Sequence, residues 1–97
     1  MKLEITEISW GINRMTGKRS EKITAKESVD LSIRDISDFG KGKRHFTIDC
    51  IDGSCVTLSV HCADSRYNKT WEIKRGEEIC YRPRSFDGGY FYNFRLV

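Results

Sequence analysis

A chain of 97 residues with one proline, Pro83, and eight glycines has neither the breaks nor the bias of a disordered or low-complexity segment. No window repeats apolar positions at helical spacing, so helices are not expected to build the fold. No apolar run is long enough to span a bilayer. The opening Met1-Lys2-Leu3-Glu4 gives way to alternating polar residues where a signal peptide would have its apolar core. The expected location is the cytoplasm, where four cysteines remain free thiols. The length fits one domain, residues 1–97, able to bury a single core without disulfides. Internal repeats and paired carboxylates for acid–base work are also missing.

What is present is alternation. From Arg44 to Cys62, apolar and polar residues alternate on both sides of Asp52-Gly53, as in a β-hairpin. One face would carry Phe46, Ile48, Cys50, Val56, Leu58, Val60 and Cys62. The other would carry His45, Thr47, Asp49, Cys55, Thr57, Ser59 and His61. A two-residue Asp-Gly loop would split the apolar set between faces. A three-residue loop with Gly53 left-handed beside a bulge keeps it together, and is expected.

Shorter patterns flank the hairpin. Leu3 and Ile5 alternate, then Ile8, Trp10 and Ile12 alternate on the opposite parity, which predicts one long strand with a bulge near Thr6-Glu7. Ile23 with Ala25 marks one strand and Val29, Leu31 and Ile33 another. Gly40-Lys41-Gly42-Lys43 reads as a mobile basic loop. Residues 63–69 read as a polar connector with room for one helical turn. Trp71 and Ile73 mark a strand; Ile79 and Tyr81 mark another that ends at Pro83. Tyr90, Tyr92, Phe94 and Leu96 form a closing stripe, with Phe91 on its reverse. Strands at this spacing predict an all-β domain, a small barrel or a β-sandwich with an extra N-terminal strand pair.

The chemistry-bearing residues are few. Cys50, Cys55, Cys62, Cys80, His45 and His61 are the candidate metal ligands, but there is no Cys-x-x-Cys pair and alternation divides them between faces. A tetrahedral site needs four converging ligands, so no metal or other cofactor is expected. Cys55 with His45 or His61 is the only nucleophile–base pairing, and a strand surface lacks the pocket and oxyanion donors of acyl transfer. The chain is therefore read as a non-enzymatic binding module.

Charge suggests the partner. Residues 1–40 hold equal numbers of basic and acidic side chains, and residues 41–97 hold ten basic against seven acidic. Single-stranded nucleic acid is held by aromatic rings that stack on bases and cations that follow phosphates. Lys41, Lys43, Arg44, Arg66 and Arg84 are the candidate phosphate contacts, and Tyr67, Phe86 and Phe91 the candidate stacking rings. His45, Thr47, Thr57, Ser59 and His61 form the candidate sheet face. Arg14, Lys18 and Arg19 make a second basic feature at a hairpin tip. The alternative is a protein–protein interaction module, such as a small inhibitor or adaptor, pairing through the Leu3–Ile12 strand or the last strand.

From Val29 to Val97 the layout resembles an OB-fold of the replication protein A type. The likeness lies in a first strand at Val29–Ile36, a Gly/Lys loop, the Phe-Thr-Ile-Asp-Cys-Ile-Asp-Gly hairpin, a polar connector with Tyr67 and Trp71, the entry Ile73-Lys74-Arg75-Gly76-Glu77-Glu78-Ile79, and an aromatic last strand. The resemblance implies a ligand across the hairpin face, flanked by the loops Phe39–Arg44 and Arg84–Gly89.

Overall fold

Alternation becomes eight strands in the computed structural model, which describes residues 1–97. They are β1 (Lys2–Ile12), β2 (Arg19–Asp30), β3 (Asp35–Phe39), β4 (Arg44–Asp52), β5 (Cys55–His61), β6 (Lys69–Lys74), β7 (Glu78–Tyr81) and β8 (Gly88–Leu96). One 3₁₀ turn, Ser65–Tyr67, lies in the connector between β5 and β6. The strands form two antiparallel four-stranded sheets, ordered β2-β1-β8-β7 and β3-β4-β5-β6. The second sheet is a meander in chain order, so the chain crosses between sheets only after β2 and after β6. No helix is long and apolar enough to cross a membrane.

The two sheets share one hydrophobic core. The first contributes Leu3, Ile5, Tyr92, Phe94 and Leu96; the second contributes Phe46, Ile48, Val56, Leu58, Val60 and Ile73. Phe46 stands edge-on to Phe94 at 5.0 Å and to Tyr92 at 5.6 Å, a favoured aromatic geometry. Each fully buried side chain of this size contributes roughly 1.5–3 kcal/mol relative to exposure.

The register break expected near Thr6-Glu7 is present, but its extra residue lies in β2 and not in β1, which pairs with β8 without a shift. Its pairing with β2 shifts between Glu7 and Ile8, opposite Ala25 and Ile23, which leaves Thr24 as the extra residue. Leu3, Ile5 and Glu7 are buried before the shift, and Ile8 pairs with Phe91 of β8 after it. Ile8 and Phe91 are buried, with the Arg82 guanidinium 4.3 Å above the Phe91 ring. The sequence reads one strand at Ile23 and Ala25 and another at Val29, Leu31 and Ile33, but β2 is a single strand of twelve residues that ends at Asp30. The β1 ladder supplies the order that its own polar pattern does not. Val29–Ile36 is not one strand. Asp30 ends β2, its carboxylate accepts from Ser32 N–H at 2.9 Å, and β3 starts at Asp35.

The central hairpin reaches the expected parity by another route. His45 pairs with His61, Phe46 with Val60 and Ile48 with Leu58, so the apolar sets share a face. Nearer the turn the register shifts, and Asp52 pairs with Cys55 across a two-residue Gly53-Ser54 loop. Gly53 has φ +60°, the left-handed conformation expected of it. The bulge lies in β4 at Asp49 and not beside the turn. It sends Cys50 to the exposed outer face and turns Ile51 towards the core.

Neither the Leu3–Ile12 strand nor the last strand has a free edge for a partner, because β1 lies between β2 and β8 and β8 between β1 and β7. Of the strands that do end a sheet, β2 carries Arg19, Glu21, Lys22, Lys26 and Glu27, a mixed-charge edge that discourages strand addition.

Simple alternation buries Cys50, whereas the bulge exposes it. Native protein treated with a thiol reagent is expected to react at Cys50 as fast as an unfolded cysteine, and Cys50→Ser should change stability by no more than about 0.5 kcal/mol. Protection of Cys50 in peptide mapping would contradict the bulge.

Candidate functional site

The site begins with a buried carboxylate. Glu7 has no exposed surface, and each of its two carboxylate oxygens accepts from two donors. Lys41 N–H donates to Oε1 at 2.9 Å and Gly42 N–H to Oε2 at 3.0 Å. The Thr24 hydroxyl donates to Oε1 at 2.6 Å and the Tyr92 hydroxyl to Oε2 at 2.8 Å. Burial alone would push the Glu7 pKa up, but the bonds from Thr24, Gly42, Lys41 and Tyr92 outweigh it and hold the group below its ordinary value. The expected mobile loop at residues 40–43 is thus fastened to β1, β2 and β8. Gly40 sits at φ +69°, and a Cβ there would collide with the Glu7 carboxylate.

Arg44 opens β4 directly after this loop, and Cys62 directly follows β5. The Arg44 Nη1 lies 4.0 Å from the Cys62 sulfur, and its guanidinium carbon lies 5.9 Å from the centre of the Tyr81 ring. Both residues stand at the open end of the space between the sheets, where a groove of about 680 Å³ is cut. Arg44, Lys69, Arg82 and Arg84 are its basic residues, the Arg82 guanidinium lying over Phe91, and no acidic residue is among the nine that line it. None of these four cations has a carboxylate partner within salt-bridge distance, whereas Arg14 pairs with Asp87, Arg19 with Glu21 and Arg66 with Asp64. The Arg44 Nε is buried and makes no hydrogen bond within the chain.

Aromatic rings complete the groove. Tyr81 is buried beneath it, stacked on Tyr92 at 6.1 Å and edge-on to Trp71 at 5.5 Å. Burial and a hydrogen bond with Cys62 push the Tyr81 pKa up to about 12, against the opposing pull of Arg44. Burial and Glu7 likewise raise that of Tyr92. Both phenols are therefore neutral at physiological pH, and the floor offers hydroxyls and no phenolate. Tyr67, from the 3₁₀ turn, is 64% exposed and Phe86, from the β7–β8 loop, 89% exposed. An aromatic ring left almost wholly in water gains nothing from the core.

Of the residues expected to meet nucleic acid, Arg44, Tyr67, Arg84 and Phe86 converge on the groove. Lys41 and Lys43 stay outside it, with Lys41 contributing its backbone N–H to Glu7. Arg66 is outside as well, folded back on Asp64 at 2.7 Å. Phe91 is not available for stacking, since it is 5% exposed under Arg82. Lys69, Arg82 and Cys62 line the groove as well. The Arg82-Pro83-Arg84 cluster at a strand end was the available signal for Arg82. Cys62 read as a core residue because alternation puts it on the inward side, but at the end of the sheets that side opens to solvent.

His45, Thr47, Ser59 and His61 share the outer face of the second sheet, and their polar groups are bonded within the chain. His45 and His61 are cross-strand partners with ring centres 4.9 Å apart. His45 Nε2 meets Asp35 at 2.9 Å and His61 Nε2 meets Thr47 at 2.7 Å. Asp49 accepts from Ser59 and from Thr47, which together lower its pKa. Ser59 is buried, yet it lies on this outer face, where Asp49 and Thr70 cover it. Thr57 pairs with Cys50 and Glu72, beyond this network. The face has no exposed aromatic ring. No group of three or more metal-binding side chains converges anywhere in the chain.

No family model, no curated protein and no solved structure matches the chain.

Because the folded pKa of Glu7 lies below its unfolded value, its stabilising contribution is complete above the ordinary glutamate range, about 4.3, and is lost as pH falls through the lower folded value. Glu7→Gln should lower unfolding stability by about 2–4 kcal/mol, because an amide turns a donor towards donors. The variant's urea midpoint should also lose part of its acid dependence. An unchanged midpoint at neutral pH would contradict the cradle.

Proposed function

We propose that this chain is a non-enzymatic module that binds single-stranded nucleic acid in the groove between β4–β5 and the β7–β8 loop. The observation that carries the reading is four cations without carboxylate partners around one groove beside two exposed rings. A cation cluster repels itself, and a polyanion relieves that repulsion. Bases stack on rings without regard to sequence, so Tyr67 and Phe86 suit a ligand of varied sequence. The sheet face of His45, Thr47, Thr57, Ser59 and His61 fits the role less well, since its polar groups are bonded to one another.

The OB-fold resemblance supports the reading through placement. Arg44 and Cys62 belong to the hairpin that would carry the ligand, and Arg84 and Phe86 to the loop that would flank it. The sheet that contains β1 lies partly outside that resemblance. A protein partner that adds a strand is less favoured, because the long free edge at β2 is charged with both signs.

Fluorescence anisotropy with a labelled single strand of about 12 nucleotides tests the proposal at low salt. Binding is expected, with log Kd rising with log salt at a slope of about 2–3, as for three or four phosphates. Arg84→Ala combined with Phe86→Ala should weaken binding by about tenfold or more, and Lys43→Ala much less. Absence of binding at low salt, or equal losses from substitutions on the His45–His61 face, would overturn the assignment.

A further inference from the structure

Resting on that reading, we infer that the groove takes the phosphorylated end of a strand, a terminal phosphomonoester with its nucleoside, and not the middle of one. Depth is the first reason. The groove is the mouth of the space between the sheets, and below it Tyr81 stacks on Tyr92, which packs on Phe46. The volume of about 680 Å³ is that of a small-molecule pocket and far short of a channel for an extended strand.

Charge is the second reason. A phosphodiester brings one negative charge to this cluster of four cations, whereas a terminal monoester brings about −1.5 to −2 with three acceptor oxygens. Arg44 is placed to use them. It is half-buried against the floor, and its planar fork matches a phosphate by paired bonds. Arg84 and Lys69 are exposed at the rim, where the next phosphate would lie. Tyr67 and Phe86 come from the connections of the two different sheets, so a terminal base meets a ring from each.

The same chemistry exists on a free short nucleotide and on a strand end, and competition against the labelled strand separates them. The competitors are a dinucleotide phosphorylated at both ends, the same dinucleotide with hydroxyl ends, and longer strands of each kind. The phosphorylated dinucleotide is expected to displace the label with a Kd within about tenfold of the phosphorylated strand, and removing terminal phosphates should weaken either by about tenfold or more. Tighter binding of the dinucleotide would identify the free nucleotide as the source, and tighter binding of the strand would identify its end. Arg44→Lys should erase the preference for phosphorylated ends, so that phosphorylated and hydroxyl-ended strands bind alike and no tighter than the hydroxyl-ended strand binds the unaltered protein. Arg84→Ala, at the exposed rim, gives a second variant and should weaken the phosphorylated dinucleotide severalfold. Equal affinity for phosphorylated and hydroxyl ends, or strand binding without dinucleotide competition, overturns this inference and leaves the nucleic-acid reading standing. No binding by any of them overturns both.

Discussion

The Glu7 carboxylate is the constraint on which the rest of the structure depends. It is an ionised group placed where water does not reach, which is tolerable only because four donors surround it. Three of the elements involved, β1, β2 and β8, belong to one sheet, and the loop at residues 40–43 belongs to the other. The cradle therefore joins the sheets by charge-assisted hydrogen bonds at the end where the apolar core gives out. The loop it fixes leads straight into Arg44, so the same bonds that satisfy a buried charge set the starting point of β4 and the floor of the groove. Tyr92 links the two: its hydroxyl donates to Glu7, and its ring packs under Tyr81.

That arrangement separates the molecule's polar groups into two kinds. On the outer face of the second sheet, His61, Thr47, Asp49, Ser59 and Thr70 form a continuous hydrogen-bonded chain. A ligand there would have to replace bonds already made. In the groove, cations stand without carboxylates and rings stand in water, so a ligand would form bonds that the free protein lacks. Binding free energy comes from the second situation more readily than from the first.

Much of this was legible in the sequence. The parity change in β1 was visible because Leu3 and Ile5 fall on odd positions and Ile8, Trp10 and Ile12 on even ones. The hairpin's apolar face was visible for the same reason. The device that keeps that face whole was not, because a bulge at Asp49 and a bulge at the turn leave the same parity at Phe46 and Ile48. The long β2 was hidden because its pairing with β1, and not its own polar pattern, makes it a strand. Arg44, Tyr67, Arg84 and Phe86 were chosen from residue type and position, and they converge. Phe91 was chosen on parity, which places it off the inward face but says nothing of the arginine that covers it. Glu7 showed only as the place where the apolar pattern of β1 changes. A glutamate in a strand reads as solvent-facing until the loop that cradles it, thirty-odd residues later in the chain, is folded over it.

Backbone amide chemical shifts recorded during titration with a short, terminally phosphorylated single strand test the account most directly, since they locate a ligand without assuming where it binds. The account predicts perturbations at Arg44, Cys62, Tyr67, Lys69, Tyr81, Arg82 and residues 84–86, with smaller ones passing through Lys41 and Gly42 to Glu7. Perturbations confined to His45, Thr47, Ser59 and His61, or a spectrum that does not change, would contradict it.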